Sequence, residues 1–277
     1  MKIILITGAS SGIGFSTAKT LARQGHRVYA AARRVELMEP LKADGAIPLR
    51  MDVTDSQSIK DGVGLILEKE GRIDVLINNA GYGYFGPVET VSDSDARRQL
   101  EVNLFGLAAL CRLVLPAMRE QGSGRIINVA SVAGSVVMYY GGWYNVTKFA
   151  VEALTDALRV EMKPFGVDVI AVSPGAIGTA WGNIAADHLA ESTAGTPYEK
   201  TGGIMADNMH WLYGKNILSK PETVTRAISR AVNSHRPRAR YRPGLGARAL
   251  IFFKRILPTR WFDAMLRQMG KIQVVKK

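Results

Sequence analysis

A short aliphatic run, followed at once by a glycine-rich turn and a helical pattern, opens this chain and restricts how it can fold. Residues 2–7 are almost all aliphatic, residues 7–14 read TGASSGIG, and apolar residues then recur at helical spacing as far as Gly25. A continuous apolar run of this length suits a strand that is buried on both faces of a parallel sheet. The start of the chain therefore predicts a strand, a tight turn and a helix.

The three glycines of this turn have separate expected roles in binding a dinucleotide. Gly8 permits the tight turn, Gly12 lets the backbone approach a pyrophosphate, and Gly14 lets the helix pack on the strand. Free N–H groups at the start of the helix would then face the phosphates. The spacing is GxxxGxG rather than the commoner GxGxxG. The strand, turn and helix around it favour nucleotide binding.

The end of the second predicted strand, Arg27–Ala32, bears on which dinucleotide is bound. An acidic residue there would bind the free ribose 2′-hydroxyl of NAD. Here the strand is followed by Arg33 and Arg34. Because an arginine can pair with a 2′-phosphate, the sequence favours NADP(H) over NAD(H). The alternative is a solvated pair of arginines at the start of a helix.

Strands and helices alternate along the rest of the chain. Further strands are predicted at 46–51, 73–78, 125–130 and 167–173, with a last short strand around 239–242. This alternation predicts an α/β fold with a doubly wound parallel sheet in a single domain, residues 1–244. Ligands bind beyond the carboxyl ends of parallel strands. The glycine turn, Asn78 and Ser131 should therefore meet at one edge of the sheet.

Residues 93–121 are predicted to form one long helix with an irregularity in its middle. Asn103 is a poor helix former, and Gly106 follows it three residues later. An Asn and a Gly inside an otherwise strong helical pattern indicate a local departure from regular geometry.

The stretch from Ser131 to Lys148 carries the candidate acid/base chemistry. Tyr144 opens a predicted helix over 144–163, and Lys148 lies one turn further along the same face. An ammonium beside a phenol favours the phenolate, so we expect Lys148 to lower the pKa of Tyr144. Tyr144 would then exchange a proton with an alcohol or carbonyl oxygen near neutral pH. The alternative is an ordinary helix with an exposed Tyr and Lys.

Together these motifs resemble the short-chain dehydrogenase/reductase family, in its compact single-domain branch. The resemblance covers about residues 1–233 and lies in TGASSGIG at 7–14, Asp52, NNAG at 78–81, Asn103, Ser131, YNVTK at 144–148 and PG at 174–175. It implies a seven-stranded Rossmann-type sheet and a homodimer or homotetramer assembled through the helices that contain Asn103 and Tyr144.

The same resemblance implies a catalytic tetrad of Asn103, Ser131, Tyr144 and Lys148. Ser131 would hold the substrate oxygen, Tyr144 would transfer the proton, and Lys148 would lower the Tyr144 pKa and bind the nicotinamide ribose. Asn103 would place a water that links Lys148 to solvent. A hydride exchanged at nicotinamide C4 would interconvert an alcohol and a carbonyl.

The resemblance also implies the cofactor-binding residues. Asp52 and Val53 would lie beside the adenine, and Thr179 resembles the threonine that contacts the carboxamide. The full implied set is Gly8, Ser10, Ser11, Gly12, Ile13, Gly14, Arg33, Arg34, Asp52, Val53, Asn79, Ala80, Gly81, Tyr144, Lys148, Pro174, Gly175, Ile177 and Thr179.

Residues 176–219 occupy the place where the family keeps a lid over its substrate. The segment is rich in tryptophan, tyrosine and methionine, and large apolar residues of this kind dominate apolar pockets. We therefore expect a bulky hydrophobic substrate, as in members similar to steroid and retinol dehydrogenases. The expected substrate residues are Ser131, Tyr144, Tyr84, Val137, Trp181, Met205 and Trp211. The alternative is that the apolar residues only pack the lid onto the core.

The basic residues are concentrated in the last fifth of the chain. Residues 226–277 hold fourteen Lys and Arg and one acid, whereas residues 1–225 hold twenty-two basic and twenty-three acidic residues. Residues 245–277 predict a C-terminal extension of basic amphipathic helices, a pattern typical of peripheral membrane contact. The alternatives are packing on the core, on a sister subunit or over the substrate entrance. Nucleic-acid binding is disfavoured because no recognition fold accompanies the charge.

The remaining composition argues against other classes of protein. Cys111 is the single cysteine, so no intrachain disulfide is expected, and the four histidines are scattered without ligand spacing, so no metal site is expected. No signal peptide or spanning segment is indicated, which predicts a cytoplasmic rather than secreted protein, with peripheral membrane contact as an option. Two other functions stay open: a non-catalytic NADP-binding sensor or scaffold, and a peripheral membrane protein that acts through its basic tail.

Overall fold

A seven-stranded parallel sheet forms the centre of the computed structural model, which describes residues 1–215 and 217–271. The strands are β1 (Ile3–Thr7), β2 (Arg27–Ala32), β3 (Ile47–Arg50), β4 (Val75–Asn78), β5 (Gly124–Val129), β6 (Val167–Val172) and β7 (Arg240–Tyr241). Their order is β3-β2-β1-β4-β5-β6-β7, and every neighbouring pair is parallel. The order reverses between β1 and β4, the place where a doubly wound sheet opens its ligand crevice. The predicted fold class is confirmed.

Helices cover both faces of this sheet. Within the described residues they are α1 (Gly12–Arg23), α2 (Ser56–Glu70), α3 (Asp93–Leu100), α4 (Gly106–Glu120), α5 (Gly142–Glu161), α6 (Trp181–Thr193), α7 (Glu199–Gly214), α8 (Pro221–Asn233), α9 (Ala247–Ile256) and α10 (Thr259–Lys271). Helical segments of the 3₁₀ type lie at Val35–Asp44, Val132–Gly134 and Lys163–Phe165.

Alternate residues of β1 belong to two different hydrophobic cores. Ile4 and Ile6 pack with α1 and α8 on one face of the sheet. Ile3 and Leu5 pack with α2, α4 and α5 on the other. Because both faces are covered, the strand is aliphatic without alternation, as the sequence predicted.

The long helix predicted at 93–121 is interrupted at the expected place. A π-helical turn over Glu101–Phe105 contains Asn103 and joins α3 to α4. Gly106 then begins α4, where a Cβ would overlap the carbonyl oxygen of Val53. The turn and the glycine together let this helix pass close to the loop after β3. Turns of this type are rare and concentrate at functional sites.

By length and hydropathy alone, the continuous helix Asp93–Glu120 could cross a membrane. In the fold, however, its apolar side is part of the core between the sheet and α2. The buried residues of that side are Leu107, Leu110, Cys111, Val114 and Met118. Core helices of this kind satisfy the same length and hydropathy criteria as spanning helices.

The C-terminal extension packs on the segment that follows β5. Phe262 of α10 is only 1% exposed and lies against Val132 and Val136. Leu250 and Ile251 of α9 pack on the same small core. The inner side of the extension therefore packs on the core, which is one of the alternatives that the sequence left open. The last predicted residues of the extension, 272–277, lie outside the described residues.

Candidate active site

The glycine turn after β1 lies close to the residues that follow β4. Gly8 and Gly12 adopt φ angles of 66° and 56°, a region that favours glycine. A Cβ on Gly8 would lie 2.8 Å from the Cα of Ala80, and a Cβ on Gly14 would overlap the carbonyl oxygen of Gly8. The turn therefore keeps a backbone surface free of side chains at the start of α1, as a pyrophosphate requires.

Hydrogen bonds from Asn79 and Thr7 tie the ends of β1 and β4 together. The Asn79 side-chain amide donates to the carbonyl oxygens of Thr7, at 3.0 Å, and Gly8, at 3.2 Å. The Thr7 hydroxyl accepts from the backbone N–H groups of Asn79 and Ala80, both at 3.1 Å. These bonds hold the cradle in shape. Asn79 and Ala80, two of the predicted cofactor residues, therefore stabilise the glycine turn by hydrogen bonds within the protein.

The other predicted residues of the turn and of the 174–179 segment lie around this cradle. Ser10 and Ser11 precede α1, and Ile13 packs its side chain on the core. Thr179 lies over the turn, since a Cβ on Gly12 would be 3.4 Å from its methyl carbon. The carbonyl of Pro174 accepts from the N–H of Val132 at 2.9 Å. Gly175 and the buried Ile177 lie between Pro174 and Thr179 in the chain.

Arg33, Arg34 and Asp52 lie at the far end of the same edge, after β2 and β3. Both arginines are exposed, and within the described residues neither forms an ion pair. Burial acts to raise the pKa of Asp52, but hydrogen bonds from Thr54 and the charges of Arg33 and Arg98 outweigh it and lower that pKa. Asp52 is thus an anion beside Arg33, and the guanidinium of Arg34 is open to a ligand.

Ser131, Tyr144 and Lys148 come together where β5 ends and α5 begins. The Ser131 hydroxyl accepts from the N–H of Ala133 at 3.1 Å and lies near enough to Tyr144 to lower the pKa of that phenol. The Lys148 ammonium donates to the carbonyl oxygen of Val129 at 3.0 Å and lies 5.9 Å from the centre of the Tyr144 ring. Tyr144 and Lys148 are 6% and 7% exposed. The helix begins at Gly142, so both side chains leave its first turns on one face, as their spacing predicted.

Burial controls the ionisation of both groups. It raises the pKa of Tyr144, an effect that the neighbouring Ser131 hydroxyl partly offsets. It lowers the pKa of Lys148 to about 8, against the opposite influence of Glu152. The pKa of Tyr144 is therefore raised, not lowered toward neutrality as we expected, because desolvation of the phenolate is the larger effect. The expected contribution of the Lys148 charge stays a prediction. Tyr144 is a phenol at neutral pH and has a proton to donate.

Asn103 joins the loop after β4 to α5. Its side-chain amide donates to the carbonyl oxygen of Tyr82 at 2.9 Å and to the Thr147 hydroxyl at 3.1 Å, and its oxygen accepts from the N–H of Tyr82 at 3.0 Å. A Cβ on Gly81 would lie 3.0 Å from that oxygen and 3.7 Å from the Lys148 ammonium. Asn103 thus holds the loop after β4 in place beside Lys148. The expected water between Lys148 and solvent stays a prediction.

Sequence reasoning missed Asn145, the residue directly after Tyr144. Its amide donates to the carbonyl oxygens of Ala133, at 2.7 Å, and Val136, at 2.8 Å, and its oxygen accepts from the N–H of Met138 at 2.9 Å. Asn145 therefore fixes the loop after Ser131 against α5. An Asn within the first turns of an otherwise strong helix was the available signal.

Aromatic side chains enclose Tyr144. The ring centroids of Phe85 and Trp181 lie 5.6 and 5.1 Å from that of Tyr144. Trp181 begins α6 and lies so close to Gly83 that a Cβ there would overlap its ring. Other members of this apolar cluster are Met138, Tyr140, Ala185, Leu189, Met205 and Met209. Four predicted substrate residues, Ser131, Tyr144, Trp181 and Met205, are therefore brought together.

The other three predicted substrate residues lie outside this cluster. Tyr84 stacks on His188 with ring centroids 4.4 Å apart. Val137 is exposed in a groove against α10. Trp211 is exposed, with the Lys215 ammonium 5.8 Å from its ring centroid. It is Phe85, rather than its neighbour Tyr84, that contacts Tyr144.

Comparison with known proteins identifies the family. Residues 2–188 match the sequence model of the family described as short chain dehydrogenase. The chain belongs to the short-chain dehydrogenase/reductase family. The probable short-chain type dehydrogenase/reductase VdlC of Helicobacter pylori is 36% identical to it over 270 residues, which cover 95% of this chain and 96% of that protein. A 3-ketodihydrosphingosine reductase of Bacteroides thetaiotaomicron is 42% identical over 181 residues, 65% of each chain.

Solved structures of the family match the fold over nearly the whole chain. A short-chain dehydrogenase from Streptomyces avermitilis superposes with a TM-score of 0.79 at 31% identity, covering 98% of this chain and 96% of that one. A serine dehydrogenase in complex with NADP+ gives a TM-score of 0.75 at 28% identity, covering 87% and 94%. This short-chain dehydrogenase/reductase is thus an oxidoreductase of a family that binds nicotinamide cofactors, and its side-chain-free cradle at Gly8, Gly12 and Gly14 fits such a group.

The replacement Lys148→Met tests whether burial sets the charge of this lysine. Between pH about 8, its folded pKa, and 10.5, its ordinary value, the unfolded state binds more protons, so Lys148 makes stability rise with pH. We expect the unfolding free energy of the wild type minus that of Lys148→Met to rise by about 1–3 kcal/mol across this interval. Urea unfolding measures it, with Lys60→Met at an exposed helical site as the matched control. A difference that does not vary with pH would contradict the assignment.

Proposed function

We propose that this chain is an NADP(H)-dependent oxidoreductase that interconverts a carbonyl and an alcohol on a bulky hydrophobic substrate. One observation carries the proposal: a buried, protonated Tyr144, with Ser131 beside it and enclosed by aromatic rings, lies at the sheet edge that also holds the glycine cradle. When bound, the nicotinamide cofactor supplies or accepts the hydride.

Ser131 and Tyr144 act on the oxygen of the substrate. Ser131 orients that oxygen through a hydrogen bond, and in the direction of reduction the Tyr144 phenol donates its proton to it. Because burial raises the pKa of Tyr144, the resting side chain already has the proton that reduction requires. In the direction of oxidation the same two groups hold the alcohol, and Tyr144, once it has given up its own proton, receives the alcohol proton as a phenolate.

Lys148 and Asn103 support this transfer. The Lys148 ammonium has three N–H donors and uses one of them on the carbonyl oxygen of Val129. The remaining donors are available for ribose hydroxyls, and its positive charge favours the Tyr144 phenolate that remains after proton transfer. Asn103 keeps the loop after β4 in place beside the ammonium.

The preference for NADP(H) is supported by the end of β2. Arg33 and Arg34 are exposed where an acidic residue would bind the ribose of NAD. A guanidinium pairs well with a phosphate because it offers several donors in one plane. A neighbour of the same fold has been solved with NADP+ bound.

The apolar cluster around Tyr144 supports a hydrophobic substrate. Phe85 and Trp181 pack on the tyrosine ring, and Met205 packs beside them. Such a surface binds carbon-rich groups and offers few partners to polar ones. The relative from Bacteroides thetaiotaomicron is named as a reductase of a keto compound, which supports a ketone as the oxidised substrate.

A homodimer or homotetramer and a cytoplasmic location belong to the same proposal. Phe105 is exposed at the end of the π-turn before α4, and Val146 and Phe149 are exposed along α5, in the region through which the resemblance implies assembly. Contiguous patches of exposed apolar side chains are typical of interfaces between subunits, and these three residues are candidates for one.

A substrate panel tests the proposed function. Steroids, retinoids, and aliphatic and aromatic ketones are offered with NADPH and with NADH, and cofactor oxidation is measured. We expect turnover of at least one bulky apolar ketone, with a higher kcat/KM than small polar ketones show, and a preference for NADPH. A preference for NADH would overturn the cofactor assignment. If no carbonyl or alcohol reacts, a non-catalytic NADP-binding sensor becomes the better account.

The two tryptophans of the 176–219 segment provide a matched pair of variants. Trp181→Ala removes the ring that contacts Tyr144. Because burial of a large apolar group contributes about 1–3 kcal/mol to binding, we expect KM for the bulky ketone to rise roughly tenfold. Trp211→Ala removes an exposed ring and should leave KM unchanged. Equal effects of the two changes would contradict this placement of the substrate.

A further inference from the structure

A cleft of about 650 Å³ lies beside β7, between α8 and the start of α9. We call it the arginine cleft, because it is lined by Arg226, Arg230, Arg236, Arg238, Arg242 and Arg248, together with Arg240. Arg226 and Arg230 come from α8, and Arg248 comes from α9. The fold thus gathers seven of the fourteen basic residues of the last fifth of the chain in one cleft.

Most of the positive charge in the arginine cleft has no counterion in the protein. Arg240 pairs with Glu152 and Asp156. Within residues 1–215 and 217–271, none of the other six arginines takes part in an ion pair, and all six are exposed. Among the described residues, no acidic side chain lines the cleft. A concave surface with six unneutralised charges attracts anions strongly.

The outer side of α9 continues the arginine cleft with an apolar stripe. Phe252, Phe253 and Ile256 are exposed on this side, Phe252 by 58%. At helical spacing, Arg248 and Arg255 run along one flank of the stripe. Arg248 therefore belongs both to that flank and to the cleft, so the charged and apolar surfaces are continuous.

The apolar stripe stays exposed because the opposite sides of α9 and α10 already pack on the core. Ala247 of α9 is fully buried, and Phe262 anchors the following helix on the core. Trp261, the neighbour of Phe262, is 69% exposed at the start of α10. The exposed aromatic residues are thus a fixed feature of the surface.

We propose that the arginine cleft and the outer side of α9 form a docking surface for an anionic lipid membrane. The arginines bind the phosphates of the headgroups, and Phe252, Phe253 and Ile256 enter the boundary between headgroups and acyl chains. A nucleic acid would use the arginines but not an adjoining aliphatic and aromatic stripe. An apolar protein partner would use the stripe but not six unpaired arginines. A membrane surface is the partner that uses both.

Docking would bring the membrane close to the candidate active site. The Gly175 N–H donates to the carbonyl oxygen of Pro243 at 2.9 Å, and the Ala176 N–H donates to that of Leu245 at 3.2 Å. These bonds tie the start of α9 to the segment that leads to Thr179 and Trp181. A hydrophobic substrate dissolved in the bilayer would therefore be available at the site. This consequence rests on the proposed function, whereas docking itself does not.

Vesicle co-sedimentation of the full chain tests the docking surface. Vesicles of phosphatidylcholine alone are compared with vesicles that also contain phosphatidylglycerol. We expect binding to the anionic vesicles that weakens with added salt, and little binding to the neutral ones. Because each arginine near an anionic surface contributes about 1 kcal/mol, Arg230→Glu with Arg238→Glu should weaken binding roughly tenfold or more. Phe252→Ser with Phe253→Ser should also weaken it severalfold.

The matched control for charge is Lys60→Glu with Lys163→Glu, at exposed sites outside the arginine cleft. It should leave vesicle binding nearly unchanged. Two further readouts test whether each variant is folded: turnover of a water-soluble ketone and the midpoint of unfolding. We expect both to be unchanged in all variants. This readout separates failure of docking from failure of the proposed reaction, since vesicle binding needs no turnover.

Three results would overturn the docking surface. One is the absence of binding to anionic vesicles. A second is vesicle binding that the arginine variant loses and the phenylalanine variant keeps, which would indicate a site for free anions. The third is tight binding of a short DNA duplex that outcompetes the vesicles, which would indicate a nucleic-acid surface.

Discussion

Desolvation of Tyr144 and Lys148 is the physical constraint on which the site depends. Both side chains leave the first turns of α5 toward the end of β5, where neighbouring segments exclude water. The low polarity opposes charge on each group, so it raises the pKa of the phenol and lowers that of the ammonium. The Val129 carbonyl accepts a hydrogen bond from Lys148, and the Ser131 hydroxyl lies beside Tyr144, which makes this burial tolerable. A proton donor with a cation beside it is the result.

The surrounding fold maintains this arrangement through close backbone contacts. The π-turn at Asn103 and the absence of a side chain at Gly81 bring the loop after β4 against Lys148. Asn145 holds the loop after Ser131 against the same helix. On its other side, that loop supports Phe262 of α10. The C-terminal extension therefore packs against the segment that carries Ser131, although it lies outside the predicted domain of residues 1–244.

Features that depend on local spacing could be predicted from the sequence. The aliphatic run of β1, the glycine turn and the irregularity at Asn103 each follow from backbone requirements that a few residues express. The distinction between Trp181 and Trp211 could not be predicted, because it depends on how α6 and α7 pack. The pKa of Tyr144 was mispredicted for a similar reason: the spacing shows its cationic neighbour but not the water that burial removes. The arginine cleft likewise forms only when α8, β7 and α9 meet.

The central claim is that the Tyr144 hydroxyl delivers the proton to the substrate oxygen. Tyr144→Phe removes that hydroxyl and keeps the ring that packs on Phe85 and Trp181. General acid catalysis contributes at least about 100-fold, so kcat for ketone reduction should fall by that factor or more while the Kd for NADPH stays nearly unchanged. The matched control is Tyr198→Phe, whose hydroxyl bonds Glu89 at the surface. Normal turnover by Tyr144→Phe with bound NADPH would contradict the account.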